Sequence, residues 1–241
     1  PGTWRCWLLS YRILISLLVF FLSTAPLHAD VLCDGVNDLM QTGLDISNFL
    51  SNSTGTLAIW LKATGTATGN ANSCYRGGGL ISDASGFIGL FRHLTYNGTL
   101  DRLCAYNYDG SEDHQPTTYT ANAWTHLALV HTGGNIIFYK DGASVTSFAS
   151  GNTADLTGDL TVCAPAAGGA YGIGVVAPPM TFSTALSATE IAVIANSHLH
   201  NIASSAPSAS WDMQSCGDGV ACTDLAFTDR SGHGRTLTAG T

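Results

Sequence analysis

The sequence predicts an all-β fold, a two-sheet antiparallel jelly-roll sandwich with one short helix near residues 188–199. Three observations predict it. Only two Glu and two Lys occur in 241 residues, against 27 Gly, a poor composition for helices. Short β-branched and aromatic runs recur, separated by Gly, Asn, Ser and Thr, as in sandwiches and jelly rolls. Asn122-Ala-Trp-Thr-His-Leu-Ala-Leu-Val-His131, the turn Thr132-Gly133-Gly134, and Asn135-Ile-Ile-Phe-Tyr-Lys-Asp-Gly142 together read as a hairpin running into a second turn. Gly and Asp-Gly supply the positive φ that tight hairpin turns demand.

In chain order, strands are expected at Val31–Val36, Thr56–Lys62, Gly79–Ser82, Phe87–Arg92, Leu100–Tyr108, Trp124–His131, Asn135–Lys140, Leu160–Val162 and Gly172–Val176. The helix comes next. Ser187-Ala-Thr-Glu190 is a capping box, in which Ser and Glu satisfy each other's orphan backbone donors. Ile191, Ile194, Ala195 and His198 then recur at helical spacing as a narrow stripe. Strands at Ala209–Met213 and Arg235–Thr238 follow. No internal repeat is evident.

Before the first strand, Arg5 and Arg12 lead into Ile13-Leu-Ile-Ser-Leu-Leu-Val-Phe-Phe-Leu22, with a small residue at Ala29. A basic start, a ten-residue apolar stretch and a small residue make a secretory signal peptide over residues 1–29. The apolar stretch is about half a membrane span, so no span is expected after cleavage near Ala29. The competing reading is an uncleaved anchor. The chain opens on Pro1 rather than Met, so it is expected to be part of a longer one. The location implied is secreted, extracellular or at the cell surface, with residues 30–241 as the folded domain.

Cleavage removes two of nine basic residues and leaves 17 acidic ones, a net charge of −10. Such a surface disfavours nucleic acid and anionic membrane. Six cysteines remain: Cys33, Cys74, Cys104, Cys163, Cys216 and Cys222. An even number in an exported chain suggests disulfides. Cys216 with Cys222, across a short Gly-rich loop, is the first choice. Cys74 with Cys104 and Cys33 with Cys163 complete that arrangement, among fifteen that six cysteines allow. No Cys-x-x-Cys spacing favours zinc.

The hairpin wording resembles the laminin-G-like jelly rolls of the concanavalin A-like lectin/glucanase superfamily, which typically show Trp-x-His-Leu-Ala-Leu-Val and then Tyr-x-Asp-Gly. Asp34-Gly-Val-Asn-Asp38 is similar to that family's early Phe-Asp-Gly-x-x-Asp turn, with Cys33 in place of the Phe. Thr56-Leu-Ala-Ile-Trp-Leu-Lys62 resembles its next core strand, and Phe182-Ser-Thr-Ala-Leu-Ser-Ala-Thr-Glu-Ile191 its late strand-then-helix signature. Trp211, Asp229-Arg-Ser-Gly-His-Gly234 and Leu237 are similar to an element that comes first in many relatives. Residues 206–241 are therefore either closing strands of the same sandwich or the start of a truncated second repeat. The resemblance spans roughly residues 32 to 238.

It implies non-catalytic recognition of a glycan or an extracellular protein, through rim loops or the concave sheet. Enzymatic members, the laminarinase-like glycoside hydrolases, carry carboxylates at alternate positions of one strand, which aims them at one face. No Glu-x-Asp-x-Glu run occurs here, and of the two glutamates Glu112 is expected in a polar loop and Glu190 in the helix cap. Calcium-dependent relatives such as pentraxins take carboxylates from the segment before the late strand. Leu160 to Pro179 contains none, which speaks against that type of site.

Binding candidates are Tyr106, Tyr108, Asp109, Glu112, Asp113 and His114, where aromatic faces and hydrogen-bonding groups cluster. A solvated strand connection is the competing reading. No definite cofactor is indicated; Ca²⁺ is admitted through the hard carboxylate oxygens of the loop that begins at Asp109, or through Asp83 and Asp155, which have nothing further to recommend them. Trp60 and Trp124 are expected to be core or sheet-face residues, and His126, on the parity of Trp124, Ala128 and Val130, a packed one. A structural or protein-interaction module of a cell-surface or virion assembly is the alternative function, and a laminarinase-type glycoside hydrolase the third.

Overall fold

The computed structural model describes residues 31–34, 39–45, 54–64, 78–83, 88–96, 99–108, 112–149, 159–163, 173–197, 209–212, 226–229 and 237–240. They form β1 (Val31–Asp34), β2 (Leu39–Asp45), β3 (Thr54–Lys62), β4 (Gly78–Asp83), β5 (Ile88–Tyr96), β6 (Thr99–Tyr108), β7 (Glu112–Thr117), β8 (Trp124–Thr132), β9 (Asn135–Lys140), β10 (Ala143–Ala149), β11 (Asp159–Val162), β12 (Ile173–Phe182), α1 (Ala188–Ser197), β13 (Ala209–Asp212), β14 (Ala226–Asp229) and β15 (Leu237–Gly240). The expected signal peptide, the Asp34–Asp38 turn beyond Asp34, the Cys216–Cys222 pair and His198 lie outside the described residues.

All pairings among these strands are antiparallel. One sheet runs β10-β9-β8-β3-β12, with β1 and β13 also on β12. The other runs β15-β2-β11-β4-β5-β6-β7, and β14 links β13 to β15. Strands β8 and β5, β12 and β4, and β10 and β7 approach across the interior. The result is a jelly-roll sandwich with one helix.

The central strands of the first sheet, β3 and β8, are buried on both faces, which explains their uninterrupted apolar wording. Leu57, Ile59 and Leu61 stand in register with Leu129, Leu127 and Thr125, and Leu129 with Phe138. These form the sandwich interior, and all are buried. On the opposite parity, Ala58, Ala128, Val130, Tyr139, Met180 and Phe182 are covered by Leu186 of the helix approach and by Ile191 and Ile194 of α1. A strand with only one buried face alternates; one with two reads as a continuous apolar run. Hence Thr125 to His131 is buried throughout. His126 is packed, as expected, with its ring centroid 5.1 Å from that of Trp60.

The Asp-Gly wording after β9 closes the hairpin in two ways. Asp141 and Gly142 both have positive φ, 50° and 82°, as a type I′ turn between Lys140 and Ala143 requires. The Asp141 amide also donates to the His126 carbonyl at 2.8 Å, while its carboxylate Oδ1 accepts from the His126 amide at 2.9 Å. The turn then meets the helix, because a Cβ on Gly142 would lie 3.0 Å from the Ala192 Cα. Gly142→Ala is therefore expected to cost about 2 kcal/mol, from left-handed strain and this contact. A lower urea midpoint with unchanged slope would register it.

Thr56 fastens β3 to the helix approach. Its buried Oγ1 donates to the Thr184 carbonyl at 3.0 Å and accepts from the Leu186 amide at 2.9 Å. Thr56→Val keeps the shape but leaves that buried amide without its acceptor. The expected loss is about 2 kcal/mol, read from equilibrium denaturation. The cap forms as predicted: Ser187 amide and hydroxyl donate to Glu190 Oε2 at 2.8 and 2.7 Å, and the Glu190 amide donates to Ser187 Oγ at 3.3 Å.

Cys33, on β1, is bonded to Cys163, which follows β11, with Cα atoms 5.6 Å apart. The bond ties the two sheets together at a chain separation of 130 residues. Cys104 is also disulfide-bonded, to a residue outside the described ones.

Four strands were not expected. In β2, β10 and β14 the apolar signal is diluted by small or polar residues, and their partners on neighbouring strands supply the pairing. β7 is discussed below. The expected Gly172–Val176 strand also runs on to Phe182 through Pro178 and Pro179. A register shift between Ala177 and Met180 absorbs the prolines, which cannot donate to a regular ladder.

Candidate functional site

The candidate site is built on the β6–β7 hairpin at one edge of the second sheet. β6 is anchored at its centre, where Leu103, Cys104 and Ala105 are fully buried. Past that anchor the sequence turns polar and aromatic. Register sets Tyr106 opposite His114, Asn107 opposite Asp113, and Tyr108 opposite Glu112.

This corrects the expectation of a polar loop carrying Glu112. Glu112, Asp113 and His114 open a six-residue strand, and the connection shrinks to residues 109–111. Asp and Glu are weak strand formers, so no strand signal stood out in the sequence. An edge strand nevertheless tolerates them, and charges there discourage pairing with other chains. Because strand positions alternate between faces, positions 106, 108, 112 and 114 share one face of the hairpin, and 107 and 113 the other. Tyr106, Tyr108, Glu112 and His114 thus stand at adjoining register positions, residue types that stack on and hydrogen-bond to a polyhydroxyl ring.

The same register extends across the sheet. Tyr106 is opposite Gly89, Gly89 opposite Ser82, Ser82 opposite Thr161, and Thr161 opposite Gln41. A row of polar or small residues therefore crosses five strands and ends at His114 on a sixth, with Gln41 exposed at its far end but Gly89 and Thr161 buried along it. Gln41, Ser82, Gly89 and Thr161 were not singled out from the sequence. No local pattern announces them, since they come from four separate strands.

The other candidates fall elsewhere. Asp83 ends β4 opposite Leu160, and Asp109 and Asp155 lie outside the described residues. Among the described residues no group of three or more His, Cys, Asp and Glu could hold a metal ion. Glu190 is engaged in the helix cap. Trp60 and Trp124 are half-buried on the first sheet, opposite His126 and Lys62. They are sheet-face residues.

Two antiparallel sheets, one of them bearing a capped helix, form a jelly-roll sandwich. The chain belongs to the concanavalin A-like lectin/glucanases superfamily, whose Laminin_G_3 family model matches residues 34–192. No curated protein matches the chain.

Among solved structures, it is similar to a candidate carbohydrate-binding protein from Bacteroides ovatus, at 14% identity and a TM-score of 0.61. That match covers 90% of this chain but 59% of the other, so the chain spans about three-fifths of that protein's length. It is also similar to a heptameric SAP-like pentraxin from Limulus polyphemus, at 12% identity and TM-score 0.51, covering 88% and 94%. A third similarity is to botulinum neurotoxin type C, whose cell entry depends on interaction with two ganglioside molecules. There the identity is 14% and the TM-score 0.51, covering 73% of this chain and 44% of the toxin chain. At these identities the likeness concerns the fold.

Among the described residues, no helix is long and apolar enough to cross a membrane.

Proposed function

We propose that residues 30–241 form one secreted, non-catalytic recognition module that binds carbohydrate through the β6–β7 hairpin. The carrying observation is the register that puts Tyr106, Tyr108, Glu112 and His114 at adjoining positions of one face. Membership of a lectin and glucanase superfamily supports a glycan as ligand, and so does the description of the Bacteroides ovatus protein as a candidate carbohydrate-binding protein. The Cys33–Cys163 disulfide supports an oxidising, exported location.

Glycan recognition of this kind rests on aromatic faces set against the ring and on directional hydrogen bonds from carboxylate, imidazole and amide groups. In this reading Tyr106 and Tyr108 supply the stacking faces. Glu112 and Asp109 accept hydrogen bonds from the hydroxyls and His114 donates or accepts one, while Asp113, at a position of the opposite face, is left out of this contact. A hydrolase would need two carboxyl groups about 5 Å or about 6.5–9.5 Å apart across the scissile bond. One of this chain's two glutamates, Glu190, caps the helix instead.

The test compares the wild-type chain with Tyr106→Ala and Tyr108→Ala on a glycan it binds. Each substitution is expected to weaken binding at least about tenfold, the equivalent of 1.4 kcal/mol, without changing the melting temperature. Unchanged affinity in both would move the site away from the hairpin.

A further inference from the structure

We propose that the β10 edge of the first sheet is a pairing surface for a second copy of this chain. β10 is the last strand of its sheet, and its strand partner among the described residues is β9. Such an edge presents a row of backbone donors and acceptors that another strand can complete. Soluble proteins usually blunt these edges with charged residues or proline. β10 reads Ala-Ser-Val-Thr-Ser-Phe-Ala, with neither. Five of its seven residues are exposed.

This strand and the helix beside it each carry an exposed apolar side chain. Val145 and Val193 are the exposed large hydrophobic residues among the described ones, at 41% and 40%. One is on β10 and the other on α1, two elements that lie against each other. Their junction is fixed by the Gly142 turn, which sits against Ala192.

Charge selects the occupant. The chain carries a net −8, so two copies repel over most of their surfaces. Residues 143–149 of β10 and 191–197 of α1 contain no charged side chain. Just before the strand, Lys140 and Asp141 pair with each other at 3.8 Å. This patch is thus one where like can meet like. A two-fold contact needs a self-complementary surface, and an antiparallel pair of identical neutral strands provides it.

The register shift at Val145 interrupts the ladder with β9, and Thr146–Ala149 then pairs regularly. Such irregularities limit edge pairing, so the contact is expected to be short and reversible.

Sedimentation of the exported chain over a concentration series tests the proposal, alongside the double variant Val145→Lys, Ser147→Lys. Both positions are exposed, so the variant should keep the wild-type melting temperature. The wild type is expected to shift from monomer to dimer as concentration rises to about 100 µM, in the range of weak interfaces. The folded variant should stay monomeric. A wild type that remains monomeric throughout overturns the proposal. So does a dimer that persists in the folded variant.

Discussion

Replacing Cys33 and Cys163 together by alanine is expected to lower the unfolding free energy by about 3–5 kcal/mol. The bond closes a chain separation of 130 residues, so in the unfolded state it removes much of the freedom of the intervening chain. The chain-entropy relation gives about 5 kcal/mol for a loop of that length, and relaxation of the native state reduces it. The location matters as well as the length. Cys33 lies on β1, which joins the first sheet through β12, whereas Cys163 follows β11 in the second. Without the bond, the sheets keep their buried faces but lose the covalent tie between them. A fall in melting temperature of roughly 10 °C in calorimetry is expected for a domain of this size. A fall of only a degree or two would mean that the sandwich is held at this point by packing alone.

Phe182→Ala should be almost as costly, at about 3–5 kcal/mol, from lost transfer free energy and the cavity left behind. Phe182 is fully buried at the end of β12, opposite Thr56, beneath Ile191, Ile194 and Leu186. That cluster holds α1 on the outer face of the first sheet. The substitution should therefore show in the amide exchange of α1 before it shows in the second sheet. Glycan binding measured where the variant is still folded should stay near wild type, because the β6–β7 hairpin belongs to the other sheet. Loss of binding by a folded Phe182→Ala chain would mean that the site depends on the helix-bearing face.

The sequence was most readable where burial and turn chemistry are local. The β8–β9 hairpin, the Gly133-Gly134 and Asp141-Gly142 turns and the Ser187–Glu190 cap were all legible, because each is specified within a few residues. β2 and β10 were not, since small and polar residues form strands there only through their neighbours. The site was half legible. Tyr106, Tyr108, Glu112, Asp113 and His114 stood out as a cluster, but Glu112 was placed in a loop rather than a strand. The polar row through Gly89, Ser82, Thr161 and Gln41 exists only through sheet register, a long-range property that local pattern does not encode. Of the disulfides, the Cys33–Cys163 pairing is seen in the structure.

The central claim is glycan recognition without catalysis. Its most direct test is a broad glycan array probed with residues 30–241, with and without EDTA, and with the bound sugars recovered for mass analysis. Saturable binding to a restricted set of glycans that leaves the sugars intact is the predicted result, and its loss in EDTA would add a metal ion to the site. A blank array, or recovered glycans that have been cleaved, would contradict it.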